Sequence, residues 1–132
     1  MAGELVLIVE DNAKNMKLAR DLLQYWGFRT LEAVTGAEGI ALATEHSPCV
    51  VLMDIQLPDM DGTAALAELR AKPATAGLHV VAVTAFAMRE DRSRLIDEGF
   101  DGYISKPIDI RAFPEQVRGF CAARHMKEAA TA

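Results

Sequence analysis

Short apolar runs alternate with amphipathic stretches along nearly the whole chain. Residues 5–9, 49–53 and 78–83 are dominated by apolar, largely β-branched side chains, the pattern of strands covered on both faces of a parallel sheet. Residues 28–34 and 102–105 carry weaker strand patterns and are predicted nearer the sheet edges. Between these runs lie helical periodicities. Met16, Ala19, Leu22, Leu23 and Trp26 recur every three or four positions, which predicts an amphipathic helix over 14–26, capped by Asn12 and ended by Gly27. Further helices are predicted over 37–46 before Ser47-Pro48, over 63–71 before Pro73, and over 87–98 before Gly99. A fifth places Phe113, Val117, Phe120 and Cys121 on one face. The fourth helix has a thin apolar face, Met88, Leu95 and Ile96, with Arg92 where another apolar residue would sit. So few buried contacts make it the expected mobile element.

Five strands alternating with five helices predict a (βα)5 doubly wound α/β fold, a three-layer sandwich with right-handed crossovers. The predicted domain covers residues 1–123, and 124–132 read as a frayed C-terminal tail. The order 2-1-3-4-5 of the parallel five-stranded sheet does not follow from the pattern; it is borrowed from flavodoxin-like sheets, whose ligands bind beyond the carboxyl ends of the strands. Strand one ends in Glu10-Asp11-Asn12, strand three in Asp54-Ile55-Gln56, strand four in Thr84-Ala85 and strand five in Ser105-Lys106-Pro107. If these ends converge, one cleft holds three carboxylates, a hydroxyl and a lysine.

Two like unit charges about 4 Å apart repel by about 4 kcal/mol at a surface-like dielectric. Such a cluster therefore calls for protons or a hard divalent cation, and oxygen donors of this kind suit Mg2+. With Glu10 and Asp11 neutralised, Asp54 becomes a nucleophile toward phosphorus. Lys106 and Thr84 would then hold the oxygens of the transferred group. Taken one at a time, these residues have plainer readings: Asn12 as a helix cap, Asp54 as a turn acid before Pro58, Lys106 as a solvated lysine. Asp59, Asp61 and Gly62 read as turn residues with no catalytic duty. The coincidence of four strand ends carries the chemical reading.

Composition narrows the classes. The chain has 132 residues, 51% of them hydrophobic, and a net charge of −5, which fits one globular domain and argues against broad electrostatic binding to nucleic acid or an anionic membrane. No apolar run approaches a bilayer span, and the amino terminus lacks the pattern of a signal peptide. Cys49 and Cys121 sit in apolar segments and read as core residues of a reducing compartment. A soluble cytoplasmic protein is expected. His46, His79 and His125 lack metal-ligand spacing and are predicted on the surface. Arg89, Arg92 and Arg94 alternate with acids, the pattern of a solvated face. No serine lies in a G-x-S-x-G elbow.

At these residues the chain resembles the receiver domains of two-component response regulators, over nearly all of residues 4 to 123. The matching stretches are Val9-Glu10-Asp11-Asn12, Leu52-Met53-Asp54-Ile55-Gln56-Leu57-Pro58, Val83-Thr84-Ala85 and Tyr103-Ile104-Ser105-Lys106-Pro107. Each is weak alone, but the set is very specific in this order and spacing. The wording of Asn15-Met16-Lys17-Leu18, Asp54-Ile55-Gln56-Leu57-Pro58 and Ala82-Val83-Thr84-Ala85-Phe86-Ala87-Met88 is similar to single-domain cell-division receivers of the DivK type, and receivers of hybrid histidine kinases share much of it.

The resemblance implies a chemotaxis-regulator-like fold in which Asp54 takes a phosphoryl group from a sensor histidine kinase or a histidine phosphotransfer protein. It implies an Mg2+ site of Asp11, Asp54, the Gln56 backbone carbonyl, and Glu10 through water. Lys106 would pair with the phosphoryl group, with a cis bond to Pro107; Thr84 and Tyr103 would switch inward; Gln56 and Phe86 would tune water access. The implied output is a protein-binding surface of helix four, strand five and helix five, for a downstream target protein and not nucleic acid directly. With no output domain in 132 residues, a stand-alone regulator, a relay shuttle or an excised receiver all fit.

One departure is Pro114, which falls early in helix five if Asp109 caps it and predicts an irregular start there. A hydrolase forming an aspartyl phosphate would need an acid where Gln56 stands. A flavin phosphate would be repelled by Glu10-Asp11. An unphosphorylated scaffold would have no chemical use for the complete acid, threonine and lysine set.

Overall fold

The computed structural model describes residues 3–85 and 88–131. The strands are β1 (Leu5–Val9), β2 (Arg29–Ala33), β3 (Val50–Asp54), β4 (Val80–Thr84) and β5 (Gly102–Ser105). They pair in parallel, in the order β2-β1-β3-β4-β5. The helices are α1 (Ala13–Tyr25), α2 (Gly36–His46), α3 (Gly62–Ala71), α4 (Arg89–Glu98) and α5 (Phe113–Thr131). β3 and β4 are buried along their whole length, while the edge strand β2 has exposed and half-buried positions. Its weaker sequence pattern has that cause.

Successive strand side chains point to opposite faces, and two cores result. Leu7, Val9, Val51, Met53, Val80 and Ala82 pack with Ile40 and Ala43 of α2, with Leu66 and Leu69 of α3, and with Leu95 of α4. Val6, Ile8, Val50, Leu52, Val81 and Val83 pack on the other face with Met16 and Leu23 of α1 and Phe113, Val117 and Cys121 of α5. These are the three layers expected. Among the described residues no helix is long and apolar enough to cross a membrane.

Local signals act as predicted at several element ends. The Asn12 side chain accepts from the backbone N–H of Lys14 and of Asn15, both at 3.0 Å, and starts α1. Gly99 ends α4 at φ +112°, a left-handed position that glycine takes without strain. Asp109 Oδ1 accepts from the N–H of Arg111 and Ala112 in a turn ahead of α5. The helix proper begins at Phe113, so Pro114 sits in the first turn, where its missing N–H costs little. That is the irregular start its position predicts.

Other expectations are corrected. β3 and β4 lie one or two residues later than their apolar runs suggest, so Asp54 and Thr84 are themselves the last strand residues. Trp26 is the cap of α1, not part of its core face, and is 45% exposed. His79 is buried, because the residue just before β4 is already covered by the layers above and below. Met88 and Ile96 are exposed, leaving Leu95 as the buried apolar side chain of α4. Cys121 is buried as expected, but Cys49 is only partly so. Helical backbone continues to Thr131. Phe86, the Ala87 start of the fourth helix and the placement of the His125 side chain lie outside the described residues.

Candidate functional site

The central strands bring their carboxyl ends to one edge of the sheet. The register pairs Val9 with Met53, Asp54 with Val83 and Thr84 with Ser105. Residues that follow or end these strands therefore stand side by side. Glu10, Asp11, Asn12, Asp54, Gln56 and Lys106 line one open cleft. Carboxylate oxygens of Glu10, Asp11 and Asp54 lie within 4.8 Å of one another. Glu10 and Asp54 are buried, while Asp11 and Gln56 are exposed at the rim.

Lys106 answers the acids from β5. Its Nζ lies 2.9 Å from Glu10 Oε1 and 2.9 Å from Asp54 Oδ2. Its backbone N–H donates to the Thr84 carbonyl at 2.8 Å, which ties the end of β5 to β4, and the Lys106–Pro107 peptide bond is cis. The other Asp54 oxygen, Oδ1, accepts from the Gln56 N–H at 3.0 Å. Glu10 Oε2 accepts from the Asn12 N–H at 3.1 Å. Each buried carboxylate thus has one oxygen on a backbone amide and the other on the lysine.

The electrostatics follow from this packing. Burial raises the Glu10 pKa above the ordinary carboxylate value; the neighbouring Asp54 adds to the rise and the Lys106 bond opposes it. Burial works to lower the Lys106 ammonium, but its bonds to Glu10 and Asp54 outweigh that and hold its pKa above the usual lysine value. One lysine against three acids leaves a surplus of negative charge and a set of hard oxygen donors, to which Mg2+ is chemically suited.

Thr84 is buried at the end of β4, in register with Ser105 and next to the strand end that carries Lys106. Tyr103 is half-buried, packs against the core on the α2–α3 side of the sheet, and carries the Arg92 guanidinium 5.3 Å above its ring.

Three supporting features escaped sequence reasoning. The Asp59 carboxylate accepts from the N–H groups of Gly36 (2.8 Å) and Ala37 (3.0 Å), capping α2 from the loop after β3. These bonds hold its pKa below the ordinary carboxylate value. The turn into α3 presses on the Asp54 strand end: a Cβ on Gly62 would stand 2.7 Å from the Asp54 carbonyl oxygen and 2.9 Å from Ile55 Cα. Only glycine permits that approach. Arg70 of α3 donates to the carbonyls of Leu78 and Gly99 and to Asp101 Oδ2 (2.8 Å), and the same Asp101 oxygen accepts from the Val80 N–H. Each contact joins segments far apart in sequence, for which local pattern carries no signal.

The response regulator receiver domain model matches residues 6–118. Polar-differentiation response regulators DivK from Brucella abortus (strain 2308) and Brucella ovis are 44% identical over 115 residues, covering 87% of this chain and 94% of theirs. A CheY-like receiver domain protein from Methanospirillum hungatei JF-1 superposes with a TM-score of 0.84 at 27% identity, over 96% of this chain and 99% of that one. The receiver domain of a sensor histidine kinase from Pseudomonas aeruginosa PAO1, solved with a magnesium ion coordinated in its active-site cleft, gives 0.83 at 28% identity, over 92% and 99%.

Proposed function

Because the chain belongs to the response regulator receiver domain family and is of the DivK type, we propose that Asp54 is its phosphoacceptor, taking a phosphoryl group from a phosphohistidine on a sensor histidine kinase or a histidine phosphotransfer protein. In this reading an Asp54 carboxylate oxygen attacks phosphorus, the P–N bond breaks, and the imidazole leaves with the bonding pair. The observation that carries it is the placement of Lys106 Nζ, 2.9 Å from both Asp54 and Glu10. One fixed ammonium stands where a phosphoryl oxygen on Asp54 would need a counter-charge.

The other residues support the same step. Glu10, Asp11, Asp54 and the Gln56 backbone carbonyl would hold Mg2+, which supplies charge neutralisation for the incoming phosphoryl oxygens. The oxygen donors gathered by the fold fit that ion. The Gln56 N–H on Asp54 Oδ1 orients the carboxylate and leaves the Lys106 side facing the cleft. Thr84 supplies a hydroxyl at the end of the neighbouring strand and would move to meet the new group, with Tyr103 following. A dianion in the cleft then changes the relative energy of two arrangements of α4 and β5, a population shift and not an opening of the fold. The output surface is α4, β5 and α5, read by a downstream target protein in the cytoplasm. The chain acts as a signalling switch.

Intact mass after incubation with acetyl phosphate tests this. One phosphoryl group should be gained, dependent on Mg2+ and absent in Asp54→Asn. A phosphorylated histidine kinase serves as a second donor. No gain from either donor, or an undiminished gain in Asp54→Asn, would sink the assignment and favour a scaffold role.

A further inference from the structure

The opposite end of the sheet holds a second cluster of metal-ligating side chains, unrelated to the cleft. Glu4 directly precedes β1, Cys49 directly precedes β3, and Cys121 lies on α5. These two strands are neighbours, and the Cys49 N–H donates to the Leu5 carbonyl at 2.7 Å, fixing their starts together. Cys121 is fully buried in the core beneath α5. A carboxylate oxygen of Glu4 and the two sulfurs all lie within 4.8 Å of one another. The Cys49 thiol already donates to Glu4 Oε2 at 3.2 Å.

We propose that Glu4, Cys49 and Cys121 form a second metal site, for a thiophilic cation of the zinc class, at the amino-terminal end of the sheet. Tetrahedral zinc with sulfur at about 2.3 Å and oxygen at about 2.0–2.2 Å sets its donors about 3.5–3.8 Å apart. Side-chain adjustment of about an ångström brings the three atoms to that spacing, with solvent as the fourth ligand. Two thiolates and one carboxylate suit zinc, whereas the all-oxygen cleft suits a hard ion, so the two sites select different metals. Glu4 and Cys49 are only partly buried, which leaves a path from solvent to the site.

A thiol inside a core is often only a small apolar group. Here two thiols and an acid are gathered from three separate elements, and the acid accepts a thiol hydrogen. The hydrogen bond with Cys49 and burial push the Cys121 thiol far above its ordinary pKa, so the bound ion must displace that proton. Once bound, it ties α5 to the starts of β1 and β3.

The test uses the full chain, reduced, with excess Mg2+ present, and Co2+ as the spectroscopic stand-in for zinc. One equivalent should bind with thiolate-to-cobalt charge-transfer absorption, and zinc should displace it. Cys49→Ser and Cys121→Ser should each lower that absorption and weaken zinc by at least about 100-fold, the upper end of what loss of an outer-sphere partner costs. Asp54→Asn should leave it unchanged. Circular dichroism checks folding; should Cys121→Ser not fold, Cys49→Ser at its half-buried position decides alone. No charge-transfer band in the folded wild type, or a band of undiminished intensity and affinity in Cys49→Ser, overturns the site. So does a protein that loses two hydrogens to a disulfide under mild peroxide but binds neither metal when reduced.

Discussion

Helices α3 and α4 have ten residues each, yet they are held in different ways. α3 buries Gly62, Ala65, Leu66 and Leu69, and Arg70 at its end reaches the Leu78 and Gly99 carbonyls and Asp101. The loop leading into it is tied to α2 through Asp59. α4 buries the Leu95 side chain, leaves Ile96 exposed, and pairs Arg94 with Asp91 and Glu98 of its own turns, both at 3.6 Å. Exposed pairs of that kind contribute between 0 and about 1 kcal/mol. Arg92 stacks over Tyr103 of β5. α3 is therefore frame and α4 is the element with little to lose by moving. Under the proposed function, a charge change in the cleft would be read at α4.

Truncating the frame should have the largest effect. Leu66→Ala removes a fully buried side chain between α3 and the sheet, and urea unfolding should show a loss of about 2–5 kcal/mol. A loss well under 1 kcal/mol would mean that α3 is not the firm partner of the pair.

Leu95→Ala should cost less in global stability, below about 2 kcal/mol, because α4 can detach without unfolding the sheet. Its signature is local: amide exchange across residues 89–98 should quicken while that of β3 and β4 stays slow. Uniform acceleration throughout the chain would place α4 in the same cooperative unit as α3 and remove the contrast.

The smallest effect is expected at Asp59, and it depends on pH. Because bonds to Gly36 and Ala37 hold its folded-state pKa below the ordinary 3.8, its stabilising contribution is full above that value and is lost as pH falls through the lower, folded-state one. The stability difference between wild type and Asp59→Asn should therefore be steady near neutrality and shrink in acid. A difference that grows in acid would contradict the capping role.

Legibility differed by the reach of each interaction. Glu10, Asp54 and Lys106 could be picked out because each directly follows or ends a recognisable strand, and parallel strands align their carboxyl ends. Asn12 and Asp109 were legible as caps because they bond to amides two or three positions along. Asp59 looked like an ordinary turn acid, since the helix it caps lies earlier in the chain. Trp26 kept the period of α1 but falls on its cap, and Met88 and Ile96 kept that of α4 without neighbours to bury them. The meeting of Cys49 with Cys121 left no trace in either local segment.

By itself the sequence determined the alternation of five strands and five helices and the set of reactive groups at the strand ends. Those depend on propensity and periodicity within contiguous residues. Only the tertiary structure decided the strand order, the burial of His79, the latch of Arg70 on Asp101, and the gathering of Glu4, Cys49 and Cys121. Such features depend on which distant segments pack together, and that is a property of the whole folded chain's free energy, to which no single stretch of sequence holds the key.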